Sequence, residues 1–123
     1  MELTQYFFDT YAAIELLRKN PGYQKYVNEK IRITFLNLLE IAYIVFTQHG
    51  EKEAFRSFMR FKEFVIEIPD EVVMKAVRYR AEHRRKSLSH ADSLGYIYSQ
   101  HSGLIFITGD DAFKDLPGVD FVK

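Results

Sequence analysis

Short apolar runs alternate along the chain with stretches whose apolar positions recur at helical spacing. The alternation predicts strands separated by helices. Tyr6 to Asp9 reads as a short buried strand, and Thr10 can cap a helix over roughly Tyr11 to Lys19. Asn20-Pro21-Gly22 breaks the pattern, and Pro21 suits the first turn of a second short helix bearing Tyr23, Tyr26 and Val27. Ile31 to Phe35 is a β-branched and aromatic strand. Leu36 to Gln48 is apolar nearly all round and reads as a buried helix, ended by His49-Gly50. Glu51 to Lys62 places Ala54, Phe55, Phe58, Met59 and Phe61 at helical spacing. Phe64 to Ile68 is a strand closed by Pro69. Asp70 caps a helix over about Glu71 to Arg84, with Val73, Ala76 and Val77 inward. Ser89 starts another, with Ala91, Leu94, Gly95 and Tyr98 on one face, and Gly103 ends it. Leu104 to Thr108 is a strand, Asp110 to Asp115 a helical turn, and Val119 to Val122 a last strand. About five strands alternating with helices argue for an α/β fold with a parallel sheet covered on both faces.

The chain has 123 residues, a length that fits one domain with one core spanning residues 1–123. At 47% hydrophobic and 28% charged residues it should be globular rather than disordered. Its 17 basic and 17 acidic residues balance, so any nucleic-acid contact must come from local patches. Cysteine is absent, which excludes disulfides and cysteine-based zinc sites and fits the cytoplasm. The start, MELTQYFF, shows no secretory pattern. The most apolar run, Phe35 to Phe46, is interrupted by Asn37 and Glu40 and is too short and polar to span a membrane.

In open parallel sheets, ligands bind outside the carboxyl ends of the strands. Asp9 falls at one such end, and Asp110 follows the strand LIFIT after one glycine. Glu40 and Asp92 sit one turn into helices, which start on the same rim if each follows a strand or a rim loop. Each acid also has a plainer use. Asp9 can bond to amides at a strand-to-helix turn, Asp110 can be an N-cap, and Ser89-His90-Ala91-Asp92 has capping-box spacing. Glu40 differs, because an ionised carboxylate among Leu36, Leu38, Leu39, Ile41 and Ile44 is costly unless it is paired or bound to a metal. Four clustered carboxylates would take up protons or recruit a cation, and an all-oxygen donor set suits Mg²⁺ or Mn²⁺.

FFDTYAAIELL, TFLNLLEIAYIV, LSHADSLGYIYS and LIFITGDDAF followed by LPGV together resemble the PIN domain family. These are metal-dependent ribonucleases that include the toxins of VapC-type toxin–antitoxin pairs. The four pieces fall in the family's order and cover nearly the whole chain. The resemblance implies a three-layer α/β/α sandwich with Asp9, Glu40, Asp92 and Asp110 as an acidic quartet. It also implies Mg²⁺ or Mn²⁺, an RNA substrate, an antitoxin partner and a homodimer. Thr10 matches the hydroxyl residue that follows the first acid, and Thr108 the threonine of a Thr-x-Asp segment. Gly109 stands where the family often has a basic or amide residue. Asp111 adds a carboxylate that could replace Asp110 as a ligand. Tyr96 and Tyr98 are bulkier than is common after the third acid. Arg84, Arg85 and Lys86, in the basic stretch KAVRYRAEHRRK, are placed to meet RNA; His83 and His90 could contact phosphate. Two rival folds fit less well. A phosphoacceptor receiver needs paired acids after its first strand, and a haloacid-dehalogenase-like phosphatase needs Asp-x-Asp, where this chain has Tyr11. Within the family resemblance two alternatives stand beside the toxin: a catalytically silent PIN-like module that binds protein, and a non-toxin RNA-processing nuclease.

Overall fold

The computed structural model describes residues 5–123; the first four residues, part of the stretch read above as lacking a secretory pattern, lie outside the described residues. Its strands are β1 (Tyr6–Phe8), β2 (Ile31–Arg32), β3 (Ile105–Thr108) and β4 (Val119–Phe121). All pair in parallel, in the order β2-β1-β3-β4. The helices are α1 (Thr10–Leu17), α2 (Phe35–His49), α3 (Glu51–Lys62), α4 (Asp70–Glu82) and α5 (His90–Ser102), with 3₁₀ turns at Pro21–Tyr26, Arg84–Lys86 and Asp111–Phe113.

The period-two pleat sorts the apolar strand residues onto two faces. Phe8 and Ile107, which are register partners, join the core under α1, α2 and α3. Phe7 and Phe106, the neighbouring pair, join Leu88, Tyr96 and Phe113 on the opposite face. Three layers result, as expected. Gly95 brings α5 close to the sheet: a Cβ there would lie 2.5 Å from Phe7 Cε1.

Five expectations need correction. The predicted strand at Phe64–Ile68 contributes only a parallel bridge between Val65 and Ile33, so the sheet has four strands rather than about five. Ile33 donates to Phe64 O and accepts from Ile66 N. The pairing stops there because Thr34 already caps α2. Asp9, not Thr10, caps α1; its side chain accepts from Ala12 N, and Thr10 is the first helical residue. Asp70 is likewise the first residue of α4, after Pro69, and makes no capping hydrogen bond. On that helix Val72 and Ala76 are buried, whereas Val73 and Val77 are exposed. Finally, α2 is not buried all round: Phe35, Leu39, Tyr43 and Phe46 form an exposed apolar stripe. Tyr23 and Tyr26, by contrast, are core residues. Tyr23 donates to Val122 O at 2.5 Å, just past β4, and Tyr26 to the carboxylate of Asp120 within β4.

Candidate functional site

The strand order makes β1 and β3 the switch point of the sheet. From β1 the chain goes to β2 on one side, while β3 lies on the other. Crevices form where such connections diverge, at the carboxyl rim. Asp9 and Thr108 meet there, because Phe8 pairs with Ile107 and Asp9 N donates to Ile107 O at 3.3 Å.

Asp9 is 3% exposed. One carboxylate oxygen accepts from Ala12 N at 2.8 Å and the other from the Thr108 hydroxyl. Burial pushes its carboxyl from an ordinary 3.8 up to about 7; the two hydrogen bonds pull downward, and the charges of Asp92 and Asp110 push up again. Thr108 Oγ also accepts from Asp110 N at 3.0 Å. One hydroxyl therefore joins the acid after β1 to the acid after β3.

Glu40 reaches the rim from α2. It is half-buried and accepts a short hydrogen bond of 2.5 Å from the Thr10 hydroxyl. Thr10 Oγ in turn accepts from Asn37 Nδ2 at 3.1 Å, and Asn37 Oδ1 accepts from Thr34 N and Thr34 Oγ. Asn37 and Thr34 are both almost completely buried. The chain Thr34–Asn37–Thr10–Glu40 holds the carboxylate through satisfied polar groups. In the sequence Asn37 registers only as an interruption of an apolar run. Its available signal is the spacing Thr34-x-x-Asn37, a capping box with Asn in the third position.

Asp92 realises the capping box predicted for it. Its carboxylate accepts from Ser89 N at 2.9 Å, while its own N donates to Ser89 Oγ at 3.0 Å. It also faces the site: Thr10, Glu40, Ser89 and Asp92 line one open cleft of about 680 Å³. Burial raises the Asp92 pKa, its bonds to Ser89 oppose that, and the Asp110 charge adds to the rise. Asp110 accepts from Ala112 N at 3.0 Å and so caps the turn after β3. Asp111 turns away; its exposed carboxylate pairs with Lys123 Nζ at 3.4 Å. Gly109 leaves room for the Tyr11 ring: a Cβ there would lie 2.1 Å from Tyr11 Cε1. Tyr11 thus fills the space that a longer side chain at position 109 would need.

Among the described residues, none of Asp9, Glu40, Asp92 and Asp110 forms an ion pair with a basic side chain. Four unpaired acids, two of them with raised pKa values, are a donor set that a hard divalent cation would complement. Glu40 and Asp110 each keep one carboxylate oxygen without a hydrogen bond among the described residues. The four carboxylates stand apart: among the described residues no group of three or more His, Cys, Asp or Glu is disposed to hold a metal ion. The chemistry of the donors fits a cation.

Of the basic residues, Arg84, Arg85 and Lys86 form an exposed 3₁₀ turn between α4 and α5. Lys86 Nζ reaches Ala112 O at 3.4 Å, beside the turn that follows Asp110. His83 is occupied locally, stacked on Tyr79 with ring centroids 4.1 Å apart. No helix among the described residues is long and apolar enough to cross a membrane.

A family model described as the PIN domain matches residues 6–119. Similar solved structures include a toxin–antitoxin complex from Klebsiella pneumoniae, 22% identical at a TM-score of 0.73, covering 94% of this chain and 95% of that one. VapBC2 from Rickettsia felis, bound to a DNA fragment from its promoter, is 17% identical at a TM-score of 0.72, covering 97% and 98% of the two chains. A protein from Pyrobaculum aerophilum is 20% identical at a TM-score of 0.72, covering 97% and 91%. Identities of this size establish a shared fold. None of the curated proteins matches the chain.

Proposed function

The chain belongs to the PIN domain family, and from that premise we propose that it is a metal-dependent endoribonuclease acting as the toxin of a toxin–antitoxin pair. The observation that supports this most is that Asp9 and Asp110 follow the ends of β1 and β3, joined through Thr108, and Glu40 and Asp92 line one cleft, all four with no basic partner among the described residues.

Asp9, Asp92 and Asp110 would hold Mg²⁺ or Mn²⁺, with Glu40 as a further ligand or as the group that orients the attacking water. Asp111, tied to Lys123, is the weaker candidate for the fourth position. When bound, such an ion polarises a phosphate oxygen and lowers the pKa of a water. The protein's own part is positioning. Thr108 and Ala12 orient the Asp9 carboxylate, and the Thr10–Asn37 chain orients Glu40. Water adds to phosphorus, the bond to the 3′ oxygen breaks, and the products carry a 5′-phosphate and a 3′-hydroxyl. Arg84, Arg85 and Lys86 supply charge for the RNA backbone.

The toxin assignment draws on the toxin–antitoxin complexes of the same fold. The exposed stripe on α2 gives an antitoxin an apolar surface to cover. A homodimer in the cytoplasm completes the reading. The test is incubation of purified protein with RNA in Mn²⁺ or Mg²⁺. Cleavage that stops with chelator and with Asp9→Asn, leaving 5′-phosphate ends, is expected. Cleavage that persists in excess chelator contradicts the reading, and an intact RNA favours the silent protein-binding module.

A further inference from the structure

The basic stretch does more than present charge. Between the end of α4 and the start of α5 lies a second cavity, about 620 Å³, whose walls include Val77, Arg80, Ala81, Arg84, Leu88 and His90. Val77, Arg80, Ala81 and Arg84 recur at three- and four-residue spacing along α4 and into the turn after it, so they share a face. Arg80 is half-buried and held in place: its Nε donates to Leu88 O at 2.7 Å, and its Nη1 lies 3.3 Å from His90 Nε2. Among the described residues, Arg80 has no carboxylate partner, and the Arg84 side chain makes neither a hydrogen bond nor an ion pair. A guanidinium that served only to tie α4 to the Leu88 carbonyl would need its Nε donor and nothing else. Here a second arginine and an imidazole stand beside it over an apolar wall.

The cavity and the carboxylate cleft both take lining residues from one continuous stretch of chain. Ser89 and Asp92 line the cleft, while Leu88 and His90, their chain neighbours, line the cavity. A strand of nucleic acid whose scissile phosphate sits at the carboxylates would place a neighbouring nucleotide here. Guanidinium groups recognise phosphate through paired N–H donors, and the face of a base or ribose suits a wall of Val77, Ala81 and Leu88. We propose that this cavity is a subsite for one nucleotide of the substrate RNA, with Arg80, Arg84 and His90 on its phosphate and the apolar wall against its nucleoside. The proposal rests on the ribonuclease reading above.

The test separates the two. Binding of a short fluorescein-labelled RNA of mixed sequence is followed by anisotropy in chelator, across a range of salt, for the parent and for Arg84→Gln, Arg80→Lys and Arg85→Gln. Arg85 carries the same charge on the same turn but does not line the cavity. Arg84→Gln disturbs no hydrogen bond among the described residues, so it keeps the test valid if Arg80→Lys folds poorly. Arg84→Gln should weaken binding roughly 5- to 20-fold and lower the salt slope by about 0.7, the value for one contact to single-stranded nucleic acid. Arg80→Lys should also weaken binding, because it keeps the charge and loses the paired donors. Arg85→Gln, which removes only charge for the RNA backbone outside the cavity, should weaken binding by about two- to threefold, clearly less than Arg84→Gln. A parent that does not bind, an Arg84→Gln variant that binds like the parent, or an Arg85→Gln variant as impaired as Arg84→Gln overturns the subsite. Cleavage by the parent in Mn²⁺ is scored separately. If the parent cleaves while Arg84→Gln binds normally, the subsite fails and the nuclease reading stands. If the affinity ranking holds without cleavage, the subsite stands and the nuclease reading fails.

Discussion

Replacing Asp9 by asparagine should stabilise the metal-free protein while abolishing its activity. The folded protein holds the Asp9 proton up to about 7, against an ordinary 3.8. Between those values the folded state keeps a proton that the unfolded chain has released, so stability falls as pH rises through this window. The full shift corresponds to about 4 kcal/mol lost once the group is ionised above both values. Asparagine removes that cost and can keep the local bonds: its Oδ1 can accept from Ala12 N, and its Nδ2 can donate to Thr108 Oγ. Allowing for relaxation, the variant should gain about 2–4 kcal/mol at pH 8, or roughly 6–15 °C in melting temperature. Near pH 5 the folded parent keeps the Asp9 proton while the unfolded chain has largely lost it, so about 1–2 kcal/mol of the cost remains and the gap should shrink to less than half its size at pH 8. Mn²⁺ bound to the folded state alone should raise the parent by about 2.7 kcal/mol at a hundredfold excess over Kd, narrowing the gap at pH 8. The assay is thermal melting of both proteins at pH 5 and pH 8, with chelator and with Mn²⁺. A variant less stable than the parent at pH 8 in chelator, or a gap independent of pH, refutes the reasoning.

Asn37→Leu should cost about 1–3 kcal/mol by leaving Thr34 and Thr10 without their buried partner, as measured by urea denaturation, and should slow RNA cleavage by freeing Glu40. Gly109→Ala should cost about 1–3 kcal/mol through overlap with the Tyr11 ring. That cost should shrink in a Tyr11→Leu background, which a double-mutant cycle of melts would read. Asp111→Asn should leave cleavage near the parent's rate, whereas Asp110→Asn should reduce it at least tenfold; the reverse order in initial rates would exchange their roles.

The layered α/β fold was legible because its signals are local. Alternating apolar runs marked β1, β3 and β4, and Ser89-x-x-Asp92 marked the start of α5 to the residue. The rim position of Asp9 and Asp110 followed from strand ends alone. What failed was directional. On α4, Val72/Ala76 and Val73/Val77 are two stripes of equal spacing one residue apart, and only the neighbouring α5 decides which is buried. An apolar α2 reads the same whether its outer stripe is covered by the chain or left open. The strand expected at Phe64–Ile68 has the right composition, but Thr34 turns its partner away after a single bridge. The role of Asn37 was hidden because its partner Thr10 lies 27 residues away in sequence. Arg80 was hidden in the same way, since its fixed orientation depends on a carbonyl in the following loop.

The central claim is that the rim acids bind a divalent ion, and anomalous diffraction from crystals soaked in Mn²⁺ measures this directly. A manganese peak bounded by the carboxylates of Asp9, Asp92 and Asp110, absent in Asp9→Asn crystals soaked alike, is the predicted result. A rim with no peak at saturating Mn²⁺, or a peak that survives Asp9→Asn unchanged, would contradict it.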